Sequence, residues 1–273
     1  MDLISRFFNI PHTGGKGICR LSALEPDAET LRAVQARCPG AQSVVVVLFP
    51  YLVRDAGNLS LYARGLDYHG VILRALEPVC DRLRREFPQN SFVPLVDASP
   101  LPEVRAAWAS GAGILGRNGM IFDRIYGSFV FIGTVLTDLE LAPTPSAYET
   151  CPGCGACARA CPAQALENGC VDEGKCLSAL TQSKQPMTEE QLRQLAQHPL
   201  VWGCDTCSLA CPLNRNAAET VNPAFRQNRI CSLVPEDVDG LTRKQFLTAF
   251  PDRAFTWRGP APLVRNLSLR RQK

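Results

Sequence analysis

The run Cys151-Pro152-Gly153-Cys154-Gly155-Ala156-Cys157-Ala158-Arg159-Ala160-Cys161-Pro162 constrains this chain more than any other stretch. It reads C-x2-C-x2-C-x3-C-P, the bacterial ferredoxin pattern for a [4Fe–4S] cluster. Three closely spaced thiolates can meet three irons on one face of a cubane, and the small residues between them let the backbone wrap it. The last cysteine of such a run ligates the other cluster of a pair, so a second run is required. Cys204-Asp205-Thr206-Cys207-Ser208-Leu209-Ala210-Cys211-Pro212 supplies it as C-x2-C-x3-C-P, with Val201 where a first cysteine would stand. The two runs provide seven thiolates; a pair of cubanes takes one more, and Cys170 and Cys176 are the candidates. The crossing rule puts Cys151, Cys154, Cys157 and Cys211 on one cluster, and Cys161, Cys204 and Cys207 with the eighth cysteine on the other. Structural zinc on CxxC pairs is the competing reading; it leaves the four-cysteine-then-proline run and its echo unaccounted for.

The remaining composition narrows the class. The chain has 273 residues, 46% hydrophobic and 20% charged, enough for a sizeable core in one domain or two. Its 13 cysteines exceed the demand of two clusters. Cys19, Cys38, Cys80 and Cys231 stand alone and read as small buried hydrophobes. The N-terminus has neither a secretory apolar core nor a twin-arginine pair, and no apolar run reaches membrane-spanning length. A reducing cytoplasm is the expected location. A net charge of +3 neither requires nor excludes a nucleic-acid partner.

Taken in order, the first forty residues read as irregular, with His12-Thr13-Gly14-Gly15-Lys16-Gly17 as a flexible loop that does not match a Walker A run. Ser43 to Phe49 is a β-branched apolar run, as in a strand buried on both faces. Ile72, Leu76, Val79 or Cys80, Leu83 and Phe87 have helical spacing, and Pro78 predicts a kink. His69, at the start of this helix, reads on chemistry alone as a hydrogen-bonded interior histidine. Ser91 to Val96 is a second strand, at an edge because of Pro94. Asp97 follows it. That position suits either a turn or helix cap before Pro100, or a carboxyl whose pKa is raised by desolvation. A helix is expected over 102–110. Gly111-Ala112-Gly113-Ile114-Leu115-Gly116 matches G-x-G-x-x-G but has a helix before it where a dinucleotide fingerprint needs a strand. Ser128 to Thr137 is a third strand. Two capping boxes, Thr188 with Gln191 and Thr242 with Gln245, open further helices. Residues 252–273 hold six basic residues and one acidic one, a stretch that either contacts phosphates or is solvated. The expected class is therefore α/β (α+β). An α/β unit over 1–140 is followed by a ferredoxin-like double [4Fe–4S] segment over 150–215 and a helical, basic tail over 216–273.

Several of these pieces together resemble the epoxyqueuosine reductases, cobalamin-dependent iron–sulfur enzymes of tRNA queuosine synthesis. They are Tyr62 to His69 (YARGLDYH), Val96 to Glu103 (VDASPLPE), the Gly113 to Asn118 loop with Gly127-Ser128, both cysteine runs, Cys176 to Lys184 (CLSALTQSK), and Arg258-Gly259 with Arg265-Asn266. The resemblance implies that Cys176 is the eighth ligand and Cys170 a bystander. It implies that Asp97 is the proton donor, and that Asp97, Ile121, Ile132 and Ser178 line a base-off cobalamin held between the α/β unit and the clusters. The clusters would relay electrons from a ferredoxin- or flavodoxin-type donor, and the substrate would be tRNA. A soluble monomer with no membrane partner is expected.

The chain departs from the family pattern. Ile114 stands where a tryptophan is common, Arg117 where lysine is, and Val104 where arginine is. Full-length members continue beyond the equivalent of Lys273 into a helical-repeat domain that helps to grip tRNA, so a reduced grip is expected. Two rival readings stay open: a corrinoid iron–sulfur reductase of a small molecule, and a two-cluster electron carrier.

Overall fold

The computed structural model describes residues 9–167 and 169–271; of Arg271 only the backbone is described. The chain forms two compact units. The first comprises residues up to Pro50, Tyr68–Gly153 and Asn216–Ala218; the second comprises Tyr51–Asp67, Cys154–Arg215 and the chain from Glu219 onward. The main sheet lies in the first unit, and the second is built from short helices, loops and one two-residue hairpin.

The first unit is organised by its longest strands. In chain order it contains β1 (Lys16–Arg20), α1 (Ala28–Arg37), β2 (Ser43–Pro50), α2 (Tyr68–Glu86), β3 (Phe92–Leu95), α3 (Glu103–Ala109), the two-residue strands β4 (Ile114–Leu115) and β5 (Ile121–Phe122), and β6 (Val130–Thr137). The main sheet is antiparallel, in the order β1-β2-β6-β3. Every residue of β2 is buried, which explains its unbroken apolar run. Val44, Val46 and Leu48 point into a core shared with Val34 of α1 and Ala106 and Ala107 of α3. On the opposite face Gly133 of β6 lies so close to Phe49, Ile72 and Leu76 that a Cβ there would meet them within 3.2 Å. Val71, Ile72, Leu76, Val79, Cys80 and Leu83 form the buried stripe of α2. The helix runs through Pro78 as one element, with that proline on its exposed side. β3 lies at the edge, where Pro94 removes no needed donor.

The structure corrects the reading of the first forty residues. Lys16–Arg20 pairs with β2 along its whole length, and Ala28–Arg37 is helical. α1 buries only Val34, so no apolar period announces it. Its start is fixed by Asp27, whose side chain accepts from the Thr30 N–H at 2.7 Å. The glycine loop before β1 is packed rather than free. The Gly15 N–H donates to Asp123 Oδ2 at 2.6 Å, and a Cβ on Gly15 would lie 1.9 Å from the Ala112 carbonyl oxygen. Gly113 and Gly116 similarly sit against Ile121 and Phe122, so this G-x-G-x-x-G serves a tight β4–β5 hairpin.

The second unit contains α4 (Ala156–Ala160), the hairpin of β7 (Leu166–Glu167) and β8 (Cys170–Val171), α5 (Leu177–Gln182), α6 (Glu189–Gln197), α7 (Thr206–Leu209), α8 (Pro223–Arg226), α9 (Arg243–Ala249) and α10 (Ala261–Arg271). Both expected capping boxes are present, at α6 and α9. With so little regular structure, many backbone groups depend on side chains for partners. Asn266 Nδ2 donates to the carbonyls of Thr181 and Val201 at 2.8 and 2.7 Å. Arg265 donates to those of Ser183 and Leu180 at 2.6 and 2.9 Å. Arg253 reaches Gly65 and Asn228, and Arg270 reaches His198. Three of the six basic residues of the C-terminal stretch are therefore committed inside this unit. Asn266→Ala strands two buried carbonyls and is expected to destabilise the fold by about 2–4 kcal/mol, measured as a lowered midpoint in denaturant unfolding of the metal-free protein.

Candidate active site and cluster segment

Two groups of chemistry-bearing residues emerge, one in each unit. In the first, β3 ends at Leu95 and the chain turns through Asp97, a non-glycine residue in the left-handed region at φ 55°. That turn directs the carboxyl to the start of α2. Asp97 Oδ2 accepts from the Tyr68 hydroxyl at 2.5 Å and lies 3.3 Å from His69 Nε2. Tyr68 is itself fixed by stacking on Phe131 at 4.2 Å and on His69 at 4.1 Å. The tyrosine and histidine of YARGLDYH thus converge with the aspartate of VDASPLPE. The helix-cap reading of Asp97 is corrected: α3 has Pro102 at its N-cap with no side-chain cap bond. The desolvation reading is corrected as well. The His69 hydrogen bond, reinforced by that of Tyr68 against the opposing effect of burial, holds the Asp97 carboxyl below the usual aspartate range.

The raised carboxyl in this unit is Glu103, which sequence reasoning missed. A glutamate in the first turn of a helix reads as a favourable dipole partner, and nothing in the sequence announces its burial. Burial pushes its pKa up to about 7. Its Oε2 accepts from the Asp97 N–H at 3.2 Å, and its Oε1 is buried with no hydrogen-bond partner among the described residues. Ile121 is buried in the core at 3% exposure, and Ile132 is half-buried against that same core. Ser178 belongs to the second unit, where its carbonyl accepts from Thr181 and Gln182.

The cysteine runs are built alike. Cys157 lies within α4 and Cys207 within α7, and these two short helices pack together. Each run then ends in an extended cysteine, Cys161 at φ −67°, ψ 112° and Cys211 at φ −76°, ψ 127°. The prolines that follow, Pro162 and Pro212, disfavour helical geometry at the preceding residue. Cys176 takes the same conformation (φ −61°, ψ 117°) at the N-cap of α5, whereas Cys170 is exposed on the β7–β8 hairpin. The Cys204 thiol is pushed up by burial, with Cys176 among the nearby groups that contribute. Thr181 of α5 accepts from the Gly203 N–H at 2.9 Å, tying the Cys176 segment to the second run.

Backbone N–H groups already point at two of the sulfurs. Ala165 donates to Cys161 Sγ at 3.3 Å. In the first unit Cys151 follows a strand-like pairing of residues 149–151 with Leu115, and its Sγ accepts from the Arg117 N–H at 3.3 Å. Such donors are what cluster thiolates need. Among the described residues no three His, Cys, Asp or Glu side chains gather around a point for a single ion.

Cys19, Cys38 and Cys80 are buried, as expected of small hydrophobes. Cys231 differs. It is half-buried and its thiol donates to Asp55 Oδ2 at 3.0 Å, in a network where Asp55 also accepts from Arg64 and Arg229. Burial opposes ionisation of Asp55, but these hydrogen bonds hold it well below the ordinary carboxylate range. Arg64, the arginine of YARGLDYH, is 3% exposed and also donates to the Leu59 carbonyl at 2.7 Å. It clamps a loop.

The fold and these sites define a double-cluster iron–sulfur protein with an α/β unit that presents a carboxylate, a tyrosine and a histidine together. Residues 150–214 match the family model of a 4Fe-4S double cluster binding domain, and residues 32–98 match that of "Epoxyqueuosine reductase QueG, DUF1730". The chain is 32% identical over 246 residues to the epoxyqueuosine reductase of Aliivibrio fischeri, covering 85% of this chain and 66% of that one. Among solved structures it resembles epoxyqueuosine reductase from Bacillus subtilis with its catalytic aspartate loop swung out of the active site (TM-score 0.83, 24% identity, 98% of this chain and 79% of that one). A similar match is an epoxyqueuosine reductase with an epoxyqueuosine-modified tRNA stem loop (TM-score 0.81, 24% identity, 98% and 79%). The chain belongs to the epoxyqueuosine reductase family, and it spans just under two thirds of the length of the Aliivibrio relative. No helix among the described residues is long and apolar enough to cross a membrane.

Glu103 makes a testable contribution to pH dependence. Its folded-state pKa, about 7, lies above the ordinary 4.5. The folded state therefore holds the proton more tightly than the unfolded chain. That stabilisation is complete below about pH 4.5 and is lost as the pH rises to about 7. Denaturant unfolding is expected to show wild type losing about 2–3 kcal/mol relative to Glu103→Gln across that window.

Proposed function

We propose that this chain reduces epoxyqueuosine to queuosine in tRNA, with two [4Fe–4S] clusters and a base-off cobalamin as cofactors and a ferredoxin- or flavodoxin-type protein as electron donor, in the cytoplasm. The observation that carries this reading is the convergence of Asp97, Tyr68 and His69 on a chain of this family. Support for the cobalamin comes from Asn118. Its Nδ2 is buried without a partner in the Gly113–Asn118 loop, and the amide-rich rim of a corrin offers acceptors for such a donor. Asp97, Ile121, Ile132 and Ser178 are the residues proposed to line it. A bound corrin supplies a low-potential metal centre, and the clusters supply it with single electrons.

One cluster is assigned to Cys151, Cys154, Cys157 and Cys211, the other to Cys161, Cys176, Cys204 and Cys207. The conformation of Cys176 and its influence on Cys204 favour it over the exposed Cys170. Reduction of an epoxide to an alkene consumes electrons and protons in pairs and releases the oxygen as water. Asp97 is the proposed proton donor. In the free protein its carboxyl is held charged by Tyr68 and His69. A substrate that covers the site and excludes water favours the protonated form, and Tyr68 and His69 are the proton-bearing groups within reach.

Reduction of a small molecule is a second reading. The internal commitment of Arg253, Arg265 and Arg270 supports it, because those cations are drawn away from phosphate contacts. Expression in a reductase-deficient host, with mass spectrometry of tRNA nucleosides, separates the two: epoxyqueuosine is expected to disappear and queuosine to accumulate, and persistence of epoxyqueuosine counts against the tRNA reading. Asp97→Asn is expected to keep its cluster and corrin absorption while losing turnover by at least about a hundredfold; wild-type rates would end the donor assignment. Cys176→Ala is expected to lose one cluster and Cys170→Ala none, read as iron per chain.

A further inference from the structure

Glu103 is a half-buried ionisable group that the proposed chemistry leaves unused. It stands at the first residue of α3, directly beneath the turn that carries Asp97. One carboxyl oxygen accepts from the Asp97 N–H, and the other is buried without a partner among the described residues. The turn above it needs support. Asp97 occupies the left-handed region, which is unfavourable for a non-glycine residue and persists only where neighbours impose it. The stretch from Asp97 to Leu101 forms no helix or strand; its internal ties are the Ser99 N–H on the Asp97 carbonyl and the Leu101 N–H on Ser99 Oγ. The Asp97 N–H points away from these, into α3, and Glu103 is what it meets.

We infer that Glu103 is a positioning residue for Asp97: its side chain, seated under the turn, fixes the backbone conformation that delivers the Asp97 carboxyl to Tyr68 and His69. As a step in catalysis this rests on Asp97 being the proton donor; as a statement about the turn it does not.

The ionisation of Glu103 then matters. The titratable groups that bear on it are Asp97 in the turn and His69 from α2; Arg105, farther along α3, pairs with Glu25. A neutral Glu103 is compatible with the charged Asp97 beside it. An ionised one adds like charge and leaves a carboxylate oxygen buried without a partner, so the turn loosens as the pH rises past about 7. Glutamine keeps the acceptor and cannot ionise; alanine removes the acceptor.

The test is amide hydrogen exchange of the peptide spanning Val96 to Leu101, on the full chain with its clusters reconstituted, from pH 5.5 to 8.5 and corrected for the intrinsic rate. The buried strand β2 serves as the control for folding. Wild type is expected to protect the Asp97 amide at low pH and lose protection about tenfold above pH 7. Glu103→Gln is expected to protect it across the range, and Glu103→Ala to protect it nowhere, with β2 unchanged in both. In epoxyqueuosine reduction at pH 6.5, Glu103→Ala is expected to lower kcat about 10–100-fold with KM for tRNA little changed. Glu103→Gln is expected to restore the rate and remove the decline above pH 7. Unchanged Asp97 protection in Glu103→Ala, or a wild-type pH break in Glu103→Gln, overturns the inference. If protection responds as expected but wild type itself reduces no epoxyqueuosine, the positioning role stands and the reductase reading falls.

Discussion

The buried carbonyls that flank the cysteine loops require partners, and in the second unit those partners are side chains. Thr181 and Val201 lie just beyond Cys176 and just before Cys204, and Asn266 donates to both. Arg265 donates to two further carbonyls at the end of α5, and Thr181 receives the Gly203 N–H. The cysteine runs hold only one short helix each, α4 and α7, and the chain around them is largely irregular. The polar groups left over are expensive if unpaired. An asparagine and an arginine on one helix, α10, meet that cost, which accounts for their presence in a segment that otherwise reads as a basic tail. The same rule governs the loop of Tyr51 to Asp67, where Arg64, Asp55 and Arg229 are tied together. Its Arg64 has no charge to spare for a substrate.

In the first unit the sheet sets the position of the chemistry. β3 is the edge strand, so its C-terminal end is free to turn sharply at Asp97, and α2 begins close enough to offer Tyr68 and His69. The constellation draws on residues separated by almost thirty positions. The outcome is a carboxyl held below the usual aspartate range by its hydrogen bonds and a glutamate beside it whose pKa burial raises to about 7.

What was legible in the sequence follows from which residues carry local signals. The cysteine runs were plain because metal ligation fixes spacing. β2 was plain because both its faces are buried, and the capped helices α6 and α9 because their boxes are local. β1 went unseen: five residues that include a glycine and begin with a lysine carry no clear period. α1 buries a single valine and announces itself only through the Asp27 cap. Glu103 went unread and Cys231 was misread for another reason. Their roles come from what the fold places around them, an unpaired pocket in one case and an aspartate 176 residues earlier in the other. Sequence chemistry alone does not reveal either environment.

All of these assignments presuppose that the cysteines hold iron and sulfide as two cubanes. Chemical analysis of anaerobically reconstituted protein for iron, acid-labile sulfide and zinc, with electron paramagnetic resonance of the dithionite-reduced sample, tests that most directly. About eight irons and eight sulfides per chain, with signals of reduced [4Fe–4S] centres, is the predicted result. Zinc without sulfide, or iron well below about seven per chain, would contradict it.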